Sequence, residues 1–124
     1  MIKNRRKLRK ELMTLIYQHL LIKQDILTCL ENSEIRTEDS FFIDIIELVV
    51  RNEKQYIKTL NLYLEQWTFD RLGKIEQAIL LLASAEILGE INEKAVAINE
   101  AISLAKIFCE VESYKIINAT LDKL

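Results

Sequence analysis

The first ten residues carry Lys3, Arg5, Arg6, Lys7, Arg9 and Lys10, and no acid. Such a cluster neutralises a polyanion, because each Lys or Arg displaces a counterion from a phosphate. The rest of the 124-residue chain holds 11 basic residues against all 19 acids, a formal charge of −8. An acidic body with a compact basic start predicts an arm for nucleic acid or a membrane surface. Helix formation alone does not select these cations, since they sit at the positive end of the helix dipole. The competing reading is a solvated helix start that aids solubility. On a helical projection Arg6, Arg9, Lys10, Met13 and Tyr17 share one face. Its cations would hold phosphates while the Tyr17 ring stacks a base, the combination that single-stranded RNA binding needs. Alternatively Tyr17 only borders the core.

Little in the chain could carry catalysis. His19, the sole histidine, lies at the centre of an apolar helical stripe and reads as a core or partly buried group. There is no glycine-rich phosphate loop, no HExxH string and no metal-spaced Cys/His cluster. Cys29 and Cys109 are distant in sequence and fit no CxxC pattern, so two reduced, buried thiols in a cytosolic protein are expected. Nothing supports a nucleophilic pair of either thiol with His19. Glu86 stands in a run of apolar residues, where a carboxylate must be paired or neutralised; an ion pair or capping contact is expected. Asn99 and Glu100 read as packing and capping groups. No catalytic residue, metal or cofactor is predicted.

The elements that must position these groups are helices. The chain has two glycines and no proline, and half of its residues are hydrophobic, which favours an all-α protein of one domain. Between Gly73 and Gly89 apolar residues point in nearly every helical direction, as in a buried central strut. Gly89 is expected to close this helix and Asp70 to cap its start. Residues 4 to about 31 read as one long helix, bent or frayed near its end, with Leu8, Leu12, Leu15, Ile16, His19, Ile22 and Ile26 inward. Residues 32–39 form a polar loop, and a second helix runs from Ser40 to about Leu64. Its inward positions are Phe42, Ile45, Ile46, Val49, Val50, Ile57, Leu60 and Leu64. Trp67, in the connector that follows, reads as a core plug. A helix from Lys94 to Phe108 buries Ala95, Ile98, Ala101, Ile102, Ala105 and Phe108, and a last helix from Glu112–Ser113 turns Ile116, Ile117, Leu121 and Leu124 inward. Periodicity alone counts five or six helices in two clusters, residues 1–66 and 67–124. No uninterrupted apolar stretch marks a signal peptide or a membrane span.

Several strings resemble the NusB family of bacterial transcription antitermination factors: WTFDRLGKIE at 67–76, AEIL at 85–88, VAINEAISLAKIF at 96–108 and SYKIINATLDK at 113–123. The resemblance covers essentially the whole chain. It implies an all-α fold of two small helical bundles, about six or seven helices, and no enzymatic activity. It also implies a cytoplasmic protein that pairs with NusE, a small-subunit ribosomal protein. The pair would bind single-stranded boxA RNA and join the RNA polymerase antitermination complex on ribosomal RNA operons. By position, the RNA surface would comprise Arg5, Arg6, Lys7, Arg9, Tyr17, Tyr63, Glu76, Glu112, Ser113 and Tyr114, with Lys10 added from the basic face. The chain departs from the family at Ala119, where glycine is usual, and at Asn92–Glu93–Lys94, where the usual proline is absent. A second reading is a NusB-like interaction module, homodimeric or docked on a partner, without an RNA role. A membrane anchor is disfavoured because the apolar face of the first helix is needed for the core.

Overall fold

The computed structural model describes residues 4–124. They form six α-helices: α1 Arg5–Ile22, α2 Ile26–Glu31, α3 Ser40–Tyr63, α4 Lys74–Leu88, α5 Lys94–Phe108 and α6 Ser113–Leu121. One short 3-10 turn, Phe69–Arg71, precedes α4. The all-α expectation holds.

The caps are local and legible. The Asn4 side chain accepts from the Lys7 N–H at 2.9 Å, which satisfies one of the free donors of α1. Asp39 does the same for α3, taking the Phe41 N–H at 2.9 Å. At α4 the expected cap by Asp70 is not made. Gly73 is the N-cap, and Glu76 reaches back to its N–H at 3.1 Å, the carboxylate half of a capping box. Asp70 belongs to the 3-10 turn, where a side-chain bond with Thr68 holds its carboxyl below the usual range.

The expected long first helix is two. Lys23 adopts a left-handed conformation, φ 55°, and α2 starts three residues later. Leu20 in the last turn of α1 still packs against the core, whereas Ile22 is exposed rather than inward. At the far end of α4, Gly89 is the C-cap but not the left-handed residue. Glu90 takes that conformation, φ 55°, and the Glu90 and Ile91 N–H groups close onto the carbonyls of Ile87 and Glu86. Glycine fits at 89 for space: a Cβ there would lie 2.5 Å from the Ala85 carbonyl oxygen and from Leu48 Cδ1.

α4 is the strut. It packs on α1, α3, α5 and α6, and every residue from Gln77 to Glu86 is buried. Ile79, Leu80, Leu81 and Leu82 are almost completely out of water, each worth about 1.5–3 kcal/mol of transfer free energy. The buried apolar residues form one continuous core from Leu8 to Leu121. Val50 lies on the outer side of α3, exposed, and Tyr56 takes an inward place instead. On α5 the expected Ile98, Ala101 and Ala105 are buried and Ile102 and Phe108 pack against the core, while Ala95 is exposed and Ala97 and Leu104 are buried in addition. α1 and α3 run parallel, since Arg5 and Arg9 meet Phe41 at one end while His19 meets Glu53 at the other.

Candidate nucleic-acid interface

The basic start of α1 is anchored by an ion pair that the helical projection does not reveal. Arg9 and Glu86 are both almost completely buried, at 3% and 1% exposure. Arg9 Nε donates to Glu86 Oε2 at 3.0 Å and Nη2 to Oε1 at 2.7 Å, a bidentate fork. Asn92 Nδ2 also donates to Glu86 at 2.7 Å, and Asn92 Oδ1 accepts from Arg5 at 2.9 Å. A chain of hydrogen bonds thus runs from Arg5 through Asn92 and Glu86 to Arg9. It ties α1 to the end of α4 and to the loop before α5.

This corrects the expectation for Arg9. Its guanidinium is buried and occupied by Glu86, over the Phe41 ring at 5.1 Å, rather than lying open on the surface. The ion pair expected of Glu86 is present, with Arg9 as its partner. Glu100, read from sequence as a packing or capping group, instead faces the arm, 3.5 Å from Arg6 and 4.0 Å from Arg9. Asn92 was missed because a loop Asn carries no periodic signal.

Arg5, Arg6, Lys7 and Lys10 remain exposed. Arg6, Lys7 and Lys10 line a groove of about 460 Å³ between α1 and α5, floored by Leu104, Ile107 and Phe108. Lys10 Nζ stands 5.5 Å over the Phe108 ring. Ile107 is 69% exposed on the floor of this groove. A second groove of about 440 Å³ begins two residues past Phe108, lined by Glu110, Glu112 and Ser113, with Glu76, Arg71 and Trp67. Trp67 is 44% exposed and is a groove wall, not the core plug expected.

The structure thus brings Glu76 to Glu112 and Ser113, which lie far from it in sequence, in the second groove. It does not bring the tyrosines to either groove. Tyr17 is half-buried and packs against the core. Met13 and Arg9, on the face assigned to the cations, are buried, so that face is divided between the core and the exposed Arg6 and Lys10. Tyr114 is half-buried under Lys106 Nζ at 4.8 Å, and Tyr63 is half-buried at the end of α3. Glu112 pairs with Lys115 at 2.5 Å, and the contact raises the Lys115 ammonium above its ordinary value.

Chemically the two grooves differ. The α1/α5 groove offers cations, with the Glu11 and Glu100 carboxylates among them, over an apolar floor, suited to phosphates above and a base or ribose face below. The second offers carboxylates and an indole, able to accept from base N–H groups and to stack. Cys109, between them, is free, and its thiol is pushed up to about 11 by burial and then by the Glu76 charge. Among the described residues no group of three or more His, Cys, Asp or Glu could hold a metal ion.

The family model for NusB matches residues 6–124. The chain belongs to the NusB family. It is 38% identical over 96 residues to the transcription antitermination protein NusB of Campylobacter hominis, spanning 77% of this chain and 73% of that one. T. maritima NusB superposes with a TM-score of 0.87 at 29% identity, covering 99% of this chain and 91% of that one. A solved complex of the antitermination factors NusB and NusE with double-stranded RNA superposes with a TM-score of 0.81. At 18% identity, over 99% of this chain and 96% of that one, it establishes the shared fold. The NusB fold expected from the residue strings is therefore the fold observed.

Proposed function

We propose that this protein is an RNA-binding transcription antitermination factor that acts with a NusE-type partner and is not an enzyme. The observation that carries the reading is the exposed quartet Arg5, Arg6, Lys7 and Lys10, held on a rigid helix by the buried Arg9–Glu86 pair beside an open groove. Membership of the NusB family supports it, since relatives carry that role in their names and one is seen with NusE and RNA. In this reading the quartet holds phosphates along α1 and α5. The strand then passes Phe108 to Glu76, Glu112 and Ser113, with base edges meeting the carboxylates. Trp67 offers a stacking surface that the half-buried Tyr17, Tyr63 and Tyr114 offer only in part. The site of action would be the cytoplasmic RNA polymerase antitermination complex on ribosomal RNA operons.

The test is a salt-titrated binding isotherm with boxA-like single-stranded RNA, a scrambled strand and a duplex, each with and without NusE. Binding should prefer boxA, tighten with NusE and weaken steeply with salt. Charge reversal of Arg6 and Lys10 together should flatten the salt slope by roughly 1.4 units, about 0.7 per lost contact on single strands. RNA binding indifferent to sequence, partner and both substitutions would leave a NusB-like interaction module.

A further inference from the structure

A further groove lies away from the basic arm, between α2 and the first half of α3, with a volume of about 490 Å³. Its floor is apolar: Leu27 and Leu30 of α2, Ile35 of the loop, and Phe42, Ile43 and Ile46 of α3. Leu27 is 46% and Ile43 41% exposed, and Val50, seven residues along the same face of α3, is 45% exposed. Apolar surface kept open and rimmed by charge is the character of an interaction site.

The charged residues that line the groove are Glu31, Glu47 and Arg36, within a predominantly acidic stretch of the chain. Between Lys23 and Arg51 stand seven acids and one base, Arg36. Glu31, Glu34, Glu38, Asp44 and Glu47 are all exposed. The Arg36 guanidinium is turned onto its own loop, donating to the carbonyls of Ser33 at 2.9 Å and Ile35 at 2.8 Å. RNA is repelled by such a rim, whereas a cationic protein segment is attracted and oriented by it. From Ile43 to Val50 the apolar strip runs about 10 Å, which accepts two turns of a partner helix through residues spaced i, i+3/i+4 and i+7.

We propose that the α2–α3 groove docks a basic amphipathic segment of a partner protein, its apolar face on Leu27 and Ile43 and its cations on Glu31 and Glu47. The surface is separate from the RNA-facing grooves, and the proposal stands without the RNA reading.

The test uses the full chain, methyl-labelled, titrated with a fourteen-residue Leu/Lys amphipathic peptide and with the same peptide carrying Glu for Lys. The Leu/Lys peptide should shift the methyls of Leu27, Leu30, Ile35, Ile43 and Ile46 and bind at least tenfold more tightly than the Leu/Glu peptide. The E31K/E47K variant, altered only at exposed positions, should lose at least tenfold in affinity and keep its far-ultraviolet dichroism. Ile43→Ser should weaken binding with the charges intact. Shifts that map elsewhere, equal binding of the two peptides, or no effect of E31K/E47K would overturn the proposal. So would self-association abolished by Ile43→Ser, which assigns the groove to a second copy, or RNA-induced shifts in the same methyls.

Discussion

Replacing Glu86 by alanine leaves the Arg9 guanidinium buried without its carboxylate and removes the acceptor of Asn92 Nδ2. Breaking one partner of a buried ion pair costs about 3–5 kcal/mol, because the remaining charge keeps its desolvation penalty. For 124 residues, an unfolding entropy of about 2.1 cal/mol/K per residue converts each kcal/mol into roughly 4 °C of Tm. Glu86→Ala should therefore melt about 12–20 °C below the parent in a calorimetric scan. The double variant R9M/E86L substitutes apolar groups of similar length for both charges and should recover most of that loss, a coupling of about 2 kcal/mol or more. The same double variant decides the role of Arg9 in binding. An anchor can be replaced by packing, so R9M/E86L should hold RNA within about threefold of the parent at matched salt. A loss under ~1 kcal/mol for Glu86→Ala, or coupling below ~0.5 kcal/mol, would refute the anchor argument. A tenfold loss of RNA affinity in a well-folded R9M/E86L would return Arg9 to the phosphate contacts.

At Cys109 the thiol sits near 11 against an ordinary 9.0, so at pH 8 its thiolate fraction is about 100-fold smaller. Alkylation by iodoacetamide should be about 100-fold slower in the native protein than in urea, read by mass spectrometry; native and unfolded rates that agree would deny the shift. Gly89→Ala should destabilise by about 1–3 kcal/mol in urea titration, since the new Cβ meets Leu48 and the Ala85 carbonyl at 2.5 Å. Glu90→Gly should stabilise by roughly 1 kcal/mol by relieving a left-handed non-glycine residue, and an unchanged midpoint would count against that account. The two ring nitrogens of His19 lie 2.5 Å from the Gln24 carbonyl and 2.6 Å from the Glu53 carboxylate, so His19→Ala, which removes both half-buried contacts, should cost about 1–3 kcal/mol in urea titration.

Much of the architecture is a matter of sequence. The all-round apolar character of residues 74–88 identifies α4 as the buried strut because no single face of such a helix can be left in water. The polar loop before Ser40 and the basic start of α1 follow equally from composition and periodicity. Local signals failed where two conformations of the same pattern compete. Nothing periodic distinguishes one long first helix from α1 and α2, which are separated by the left-handed Lys23. Likewise Asp70 is the cap expected from spacing, but the 3-10 turn takes it up and leaves Gly73 as the N-cap, with Glu76 closing onto it.

The site divides in the same way. That cations gather at the chain start, and that a carboxylate within α4 needs a partner, are consequences of residue type. Which cation supplies that partner is not, because Arg6, Arg9 and Lys10 are equivalent on a helical wheel. Tertiary packing separates them: α1 lies on α4 so that Arg9 points inward to Glu86 while its neighbours stay in water. The approach of Glu76 to Glu112 and Ser113, and the charge-rimmed groove between α2 and α3, are also products of assembly. A sequence carries residue type and period along one chain direction, whereas a site is a meeting of directions that only the packed core can set.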